Sequence, residues 1–520
     1  MTTPLPDNAP LTPPPGCPAH GLDTHGLDVQ GLDVQGLDVR GHDAQGNGTR
    51  RHGAQGLGAE GLRRLYGPEA EADPVGLYEK LRAEHGEVAP VLLHGDLPAW
   101  LILGHSANLT AMRTPSRFSR DSRRWTAFQE GLVAADSPLM PVIAWQPLCV
   151  FADGEEHRRL RVAVTESLNR FDRRGIRRHV TRFADQLIQE FGPTGQAELI
   201  AQFAEHLPML VMTQLVGMPE EYGPQLVEAA RDLLKGTETA FASNEYVVMT
   251  LRRMMERKRE APGADLVSWL MQHSAGLTDD EVLEHLRVVL LAANETTVNL
   301  IADTLKMVLT DPRFRAHLSG GHMTLADALD QVLWDSPPMS LVAGRWATGD
   351  TELGGQQIKA GDMLLLGLAA GNVDPVVRPD LSKPLYGNRS HLSFGSGPHE
   401  CPGQDIGRAI AETGIDILLT RLPDLQLSIE EDDLSWTSAW ISRHLVELPV
   451  HFAARTPEAE SEETAGAPGA VATTPAEPGA PTPTAERTTT PEAPAATAPA
   501  ATIPGQRRSW WSVLTGMFRR

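Results

Sequence analysis

The sequence predicts one large domain, mainly α-helical with a minor β region, over residues 62–454. Three observations carry this. Helical apolar spacing dominates a long middle stretch up to about Leu309. Strand signals are few and short, at Val88–Leu93, Ala99–Leu103, Leu341–Ala347, Ile358 and Met363–Leu368. Composition changes sharply at both ends of the segment, from globular to polar or Pro-rich.

In a chain of 520 residues with net charge −21 and pI about 5.3, binding of nucleic acid by bulk charge is excluded. Three cysteines, Cys17, Cys149 and Cys401, make no disulfide framework and suit a reducing compartment. No apolar leader opens the chain, and the apolar run Val288–Ala293 is too short to span a bilayer. A cytoplasmic location is the expectation.

Residues 1–61 read as a disordered tail. A Pro-rich start is followed by pentads of the form Gly21-Leu22-Asp23-Thr24-His25, which decay through Gly41 and Gly46. One leucine and at most one valine per unit bury too little apolar surface to offset ordering. The repeat lacks the nine-residue register of calcium-binding β-rolls. Asp73-Pro74-Val75-Gly76 then introduces an amphipathic helix through Arg82, and His94-Gly95-Asp96 joins the first two strands. Residues 455–508, rich in Pro, Ala and Thr, read as a disordered linker. They lead to an aromatic and basic peptide, 509–520, with Trp510, Trp511 and Phe518 among arginines. That peptide reads either as a peripheral membrane or partner-docking element, or as a solvated terminus.

The densest chemistry lies in Phe394-Gly395-Ser396-Gly397-Pro398-His399-Glu400-Cys401-Pro402-Gly403. Ile406, Ile410, Ile417 and Leu418 follow at helical spacing, so Cys401 precedes a helix N-terminus, where a thiolate is favoured. With no second cysteine nearby, it suits one soft axial bond to a metal, haem iron above all. A buried structural cysteine is the alternative. The full ten-residue pattern decides between them: it resembles the haem-ligand loop F-x-x-G-x-[RH]-x-C-x-G of the cytochrome P450 family at every fixed position, Phe394, Gly397, His399, Cys401 and Gly403.

Leu290-Leu291-Ala292-Ala293-Asn294-Glu295-Thr296-Thr297 lies inside a long helical pattern. Small residues admit a flat ligand, a hydroxyl can bond dioxygen or water, and a carboxylate can relay protons. The run resembles the family's oxygen-activation segment [AG]-G-x-[DE]-T, with Ala293 in place of its glycine. The resemblance implies catalytic roles for Glu295 and Thr296. It also implies haem binding by Cys401 as iron ligand, by Phe394, Gly395 and Gly403 in its loop, and by His157, Arg161, Arg345 and His399 as propionate partners. His157 and Arg161 are four apart and so share a helix face.

One departure stands out. The family's buried E-x-x-R pair would fall at Gln331 and Trp334, and the meander Asp374–His391 lacks P-x-R-F, with Lys383-Pro384-Leu385 near that place. The expectation is that all three charges of the brace are lost together, since removing one partner alone would cost about 3–5 kcal/mol. Some actinobacterial relatives resemble this chain in lacking the motif.

The resemblance therefore implies the haem-thiolate fold and a monooxygenase that inserts one oxygen atom from O2 into an apolar small molecule. Its cofactor would be haem b, and its electrons would come from a separate ferredoxin and an NAD(P)H-dependent ferredoxin reductase. Arg170, Arg173, Arg174, Arg177 and Arg178 form either a docking face for an acidic ferredoxin or a solvated face. The lost brace and the two tails motivate a rival reading: a haem-binding regulatory or interaction protein with little turnover.

Overall fold

Asp73 accepts a hydrogen bond from Gly76 N at 2.8 Å, and Pro74 follows at the first helical position. These two features start helix α1 (Pro74–His85), which Gly86 ends at φ 78°. The computed structural model describes residues 61–455, except 135–136, 236–238, 312–313, 315–322, 386 and 440. The pentad repeat, the Pro-rich linker and the peptide 509–520 lie outside the described residues.

Strands β1 (Arg63–Arg64), β2 (Val88–Leu93), β3 (Leu97–Ile102) and β4 (Phe118–Ser119) come first, then β5 (Gln196–Glu198). Later come β6 (Leu341–Ala347), β7 (Thr351–Leu353), β8 (Gln356–Ile358) and β9 (Met363–Gly367). The last are β10 (Gln426–Leu427), β11 (Trp436–Ala439), β12 (Ser442–Leu445) and β13 (Pro449–His451). The main sheet has the order β1-β2-β3-β9-β6-β4. β2 and β3 pair antiparallel about the turn His94–Asp96, as the sequence suggests, and Asp96 takes φ 53° there. β3 pairs parallel with β9, Trp100 opposite Leu364. Both faces are covered, which is why β2 reads as an unbroken apolar run.

The register of β6 against β9 shifts between Val342 and Arg345. Gly344 makes this bulge at φ 90°, where a Cβ would come within 2.7 Å of the Trp346 ring and 2.9 Å of Arg120 Nη1. A bulge re-aims the side chain next to it, and here that side chain is Arg345.

The helices that frame the site are α2 (His105–Arg113), α3 (Gly154–Leu168), α4 (Arg173–Phe191), α5 (Leu207–Val216) and α6 (Gly223–Lys235). They continue with α7 (Ala240–Glu260), α8 (Asp279–Thr310), α9 (Leu325–Asp335) and α10 (Gln404–Arg421). A capping box between Thr278 and Glu281 starts α8. At 32 residues α8 is long and apolar enough to cross a bilayer, yet most of its apolar stretch is buried against α5, α9 and α10. Leu286, Leu290, Leu300, Ile301 and Leu305 belong to the large helical core. Ile406, Ile410 and Leu418 of α10 join that core, whereas Ile417 is only partly buried against it.

Candidate active site

Two left-handed glycines shape the cysteine loop: Gly395 at φ 69° and Gly397 at φ 74°. The loop folds back on itself, with Gly395 N donating to Leu392 O at 2.7 Å and Cys401 N donating to Phe394 O at 2.8 Å. A Cβ on Gly397 would stand 3.0 Å from Met112 O, so the loop rests against the end of α2. Cys401 lies three residues before the first residue of α10. The expected thiolate preference is not what this geometry gives the free thiol. Burial pushes the Cys401 pKa up, and the Gly403 N–H opposes that only in part.

The four residues expected to hold propionates converge beside this loop. The His157 and His399 rings lie 4.1 Å apart, centroid to centroid. Arg161 Nη2 donates to Glu400 O, directly beside Cys401. Arg345 is fully buried and makes only a 3.4 Å bond to Gly344 O. Sequence reading missed a fifth member: Arg120 is also buried and donates to Ala343 O and Gly344 O at 2.6 and 2.5 Å. Nothing in its local pattern, the end of a short strand, distinguishes it from a surface arginine.

This cluster is short of anions. Among the described residues Asp153 is its one carboxylate; it accepts from Ser119 Oγ at 2.5 Å and from Arg120 N at 3.0 Å. His399 Nε2 stands 3.6 Å from Asp153 Oδ1. Those two atoms and His157 Nε2 are buried without a hydrogen bond. Burial first, then the Arg120 charge, holds the Arg345 guanidinium well below its ordinary pKa. Burial and neighbouring guanidiniums likewise bring His157 down to about 4, and His399 down to about 3 against the pull of Asp153. With both histidines neutral, three guanidiniums face one carboxylate, and two positive charges are left over. A ligand with two carboxylates, which haem is, fits that balance.

On α8, Thr296 Oγ1 donates to Ala292 O at 2.7 Å, one turn back. Glu295 points elsewhere, as adjacent helical residues must. Its Oε1 lies 3.4 Å from Ser442 Oγ and 3.6 Å from His444 Nε2, both on β12. The structure therefore does not join Glu295 and Thr296 by a hydrogen bond.

Around Gln331 and Trp334 the sequence expectation needs correction. Those two neutral side chains do grip the meander: Gln331 Oε1 accepts from Leu385 N at 2.8 Å, and Trp334 Nε1 donates to Asn388 O at 2.8 Å. The charges, however, are not gone. Asp330, 2 % exposed, pairs with Arg408 on α10, and Arg378 of the meander pairs with Asp335 at 2.6 Å. The charged brace has moved by one residue at each position of α9. Arg408 also lies 5.3 Å from the Phe394 ring centroid, and so reaches the cysteine loop itself.

Trp125, Met140, Ile143 and Leu341 pack into the apolar cluster on the main sheet. Of the basic run, Arg173 on α4 pairs with Glu412 at 3.0 Å, Arg177 on α4 donates to Thr413, and Arg170, in the turn before α4, lies over Trp269.

No family model matches the chain. Curated relatives do. It is 29% identical over 397 residues to 2-hydroxy-5-methyl-1-naphthoate 7-hydroxylase of Streptomyces carzinostaticus, covering 74% of this chain and 96% of the relative. To 6-deoxyerythronolide B hydroxylase of Saccharopolyspora erythraea it is 28% identical over 408 residues, covering 74% and 98%. Among solved structures, CYP154C4 from Streptomyces sp. ATCC 11861 superposes with a TM-score of 0.69 at 27% identity, covering 75% of this chain and 98% of that one. CYP154A1 from Streptomyces coelicolor A3(2) gives 0.66 at 26% identity, covering 75% and 100%. Relatives and fold agree with the cysteine loop: the chain is a bacterial cytochrome P450 of the actinobacterial type, a monooxygenase enzyme of a haem-dependent family.

Proposed function

We propose that this protein binds haem b through Cys401 and inserts one oxygen atom from O2 into an apolar small molecule. The observation that carries the reading is the uncompensated pair of positive charges beside Cys401. Arg120, Arg161 and Arg345, with the neutral nitrogens of His157 and His399, would hold the two propionates. Phe394, Gly395 and Gly403 fix the loop that presents the sulfur. When bound, haem iron supplies oxygen activation and transfer. The chain's own contributions are positioning and protons. Small residues, Ala292 and Ala293, leave room beside α8. Thr296 donates to Ala292 O and so keeps both oxygen lone pairs open to a donor in that space. Burial pushes the Glu295 carboxyl up against the opposing Ser442 hydrogen bond, which suits it to taking up and delivering a proton.

Electrons would arrive from a separate ferredoxin and its NAD(P)H-dependent reductase in the cytoplasm. Arg174 and Arg178 remain exposed on α4, which supports that face as a docking surface for an acidic carrier. The regulatory reading loses its main motive, because the brace is rebuilt around Asp330, Arg378 and Arg408. A carbon-monoxide difference spectrum of the reduced protein tests the proposal. A long-wavelength Soret band is expected, with its loss in Cys401→Ser; a wild type without that band defeats the haem-thiolate assignment.

A further inference from the structure

Side chains alternate along a strand, so Ser442 and His444 share one face of β12. That face meets Glu295 and Asn299, one turn apart on α8. Asn299 Nδ2 donates to Pro338 O at 3.4 Å, which turns its amide oxygen toward His444. His444 Nδ1 stands 3.0 Å from that oxygen and therefore carries the proton. Nε2 then offers a lone pair, and Ser442 Oγ donates to it at 2.9 Å. Ser442 Oγ also faces Glu295 Oε1 at 3.4 Å, donating to it when the acid is ionised and accepting from it when the acid is protonated. Burial pushes Glu295 up and His444 down, which agrees with a protonated acid beside a neutral imidazole.

This row of groups borders a cavity of about 360 Å³, lined by Glu295, His444 and Val446 together with Arg231 and Glu205 from the helical side. Arg231 is held by Glu205 at 2.6 Å and by Glu228 at 2.7 Å, so its charge is compensated within the cavity wall.

We propose that His444 and Ser442 pass protons from this cavity to Glu295, which delivers them one residue round the helix, on the Thr296 side. The inference rests on the monooxygenase reading. A hydronium O–H bond in the cavity breaks, leaving water, as its proton binds Nε2; the Nε2–H bond then breaks, Ser442 accepts that proton and releases its own, and an O–H bond forms on the Glu295 carboxylate left by the previous delivery. His444 returns to the neutral Nδ1–H form. No electron changes hands. Ser442 and His444 act through Glu295 and are positioning and relay residues.

Infrared difference spectra of the haem-loaded full chain, wild type against Glu295→Gln, isolate the Glu295 carboxyl stretch. A protonated band at neutral pH is expected. It shifts in Ser442→Ala and in His444→Gln, and it returns to its wild-type position in Ser442→Thr, which keeps the hydroxyl. With NADPH and a surrogate ferredoxin and reductase, each of the two disabling variants slows reductant consumption about tenfold and enlarges the solvent isotope effect. Neither slows Glu295→Gln further. An ionised Glu295, a band unmoved by both variants, or unchanged rates overturns the relay. Carbon-monoxide spectra on the same samples separate the two readings. A wild type lacking the long-wavelength band defeats the monooxygenase assignment, whereas normal bands with unmoved infrared spectra defeat the relay alone.

Discussion

Arg408 pairs with Asp330 behind the cysteine loop and so joins α10 to α9. The same guanidinium donates to His391 Nε2 at 3.2 Å and lies over Phe394. One side chain thereby contacts the helix before the meander, the end of the meander and the loop that carries Cys401.

Breaking that pair from one side strands a nearly buried charge. Asp330→Asn is expected to cost about 3–5 kcal/mol of unfolding free energy. The apolar double change Asp330→Leu with Arg408→Met should recover most of it. Denaturant titration of the haem-loaded protein measures both; equal losses in the single and double variants would deny the coupling.

Restoring the family's glutamate should harm this protein. Gln331 Nε2 donates to Asp335 Oδ2 at 2.8 Å, and Gln331→Glu replaces that donor by an oxygen. Two carboxylates then meet, with no arginine at Trp334 to relieve them. A loss of about 1–3 kcal/mol is expected. A gain in the denaturation midpoint would mean that the neutral pair is a defect.

Arg345 gives opposite signs with and without cofactor. Its buried charge opposes folding until a carboxylate arrives. Arg345→Leu should therefore stabilise the haem-free protein while weakening haem binding about 10–100-fold. Unfolding of the apoprotein and the rate of haem transfer to apomyoglobin measure the two effects separately.

His391 sets a pH window. Burial first, then the Arg408 charge, lowers its pKa to about 4, against Asp330 acting the other way; Arg389 adds a smaller repulsion. The group is neutral in the fold but protonates near 6.5 when unfolded. Its contribution is therefore intact above 6.5 and is lost as pH falls toward 4, at about 1.4 kcal/mol per unit. Stability of His391→Gln should fall less steeply over that interval than stability of the wild type.

The cysteine loop was legible because glycine positions and a thiol leave a fixed spacing in sequence. Strands β2 and β3 were legible for a similar reason, an apolar run broken by a polar turn. Long-range partners were not. Arg120 reaches its place only through the β6 bulge at Gly344, and Arg408 meets Asp330 across 77 intervening positions that no local period records. The neutral pair Gln331 and Trp334 hides the charged contact, because the acid that pairs with Arg408 stands one residue earlier, at Asp330. Likewise, Glu295 and Thr296 are neighbours in sequence that a helix turns apart, and the partners of Glu295 come from a hairpin near the end of the domain.

Gly397, pressed against Met112 O, has a mechanical consequence. Together with Arg408 it gives the loop two fixed points, one on the sheet side at α2 and one on the helical side at α10. Arg408 holds the loop at Phe394, α2 holds it at Gly397, and the Cys401 N–H is tied back to Phe394 O at 2.8 Å. A segment bends least near its supports, so a sulfur carried one hydrogen bond from a support keeps its place in the protein itself, and a metal entering there meets a ligand that need not be recruited from a moving segment.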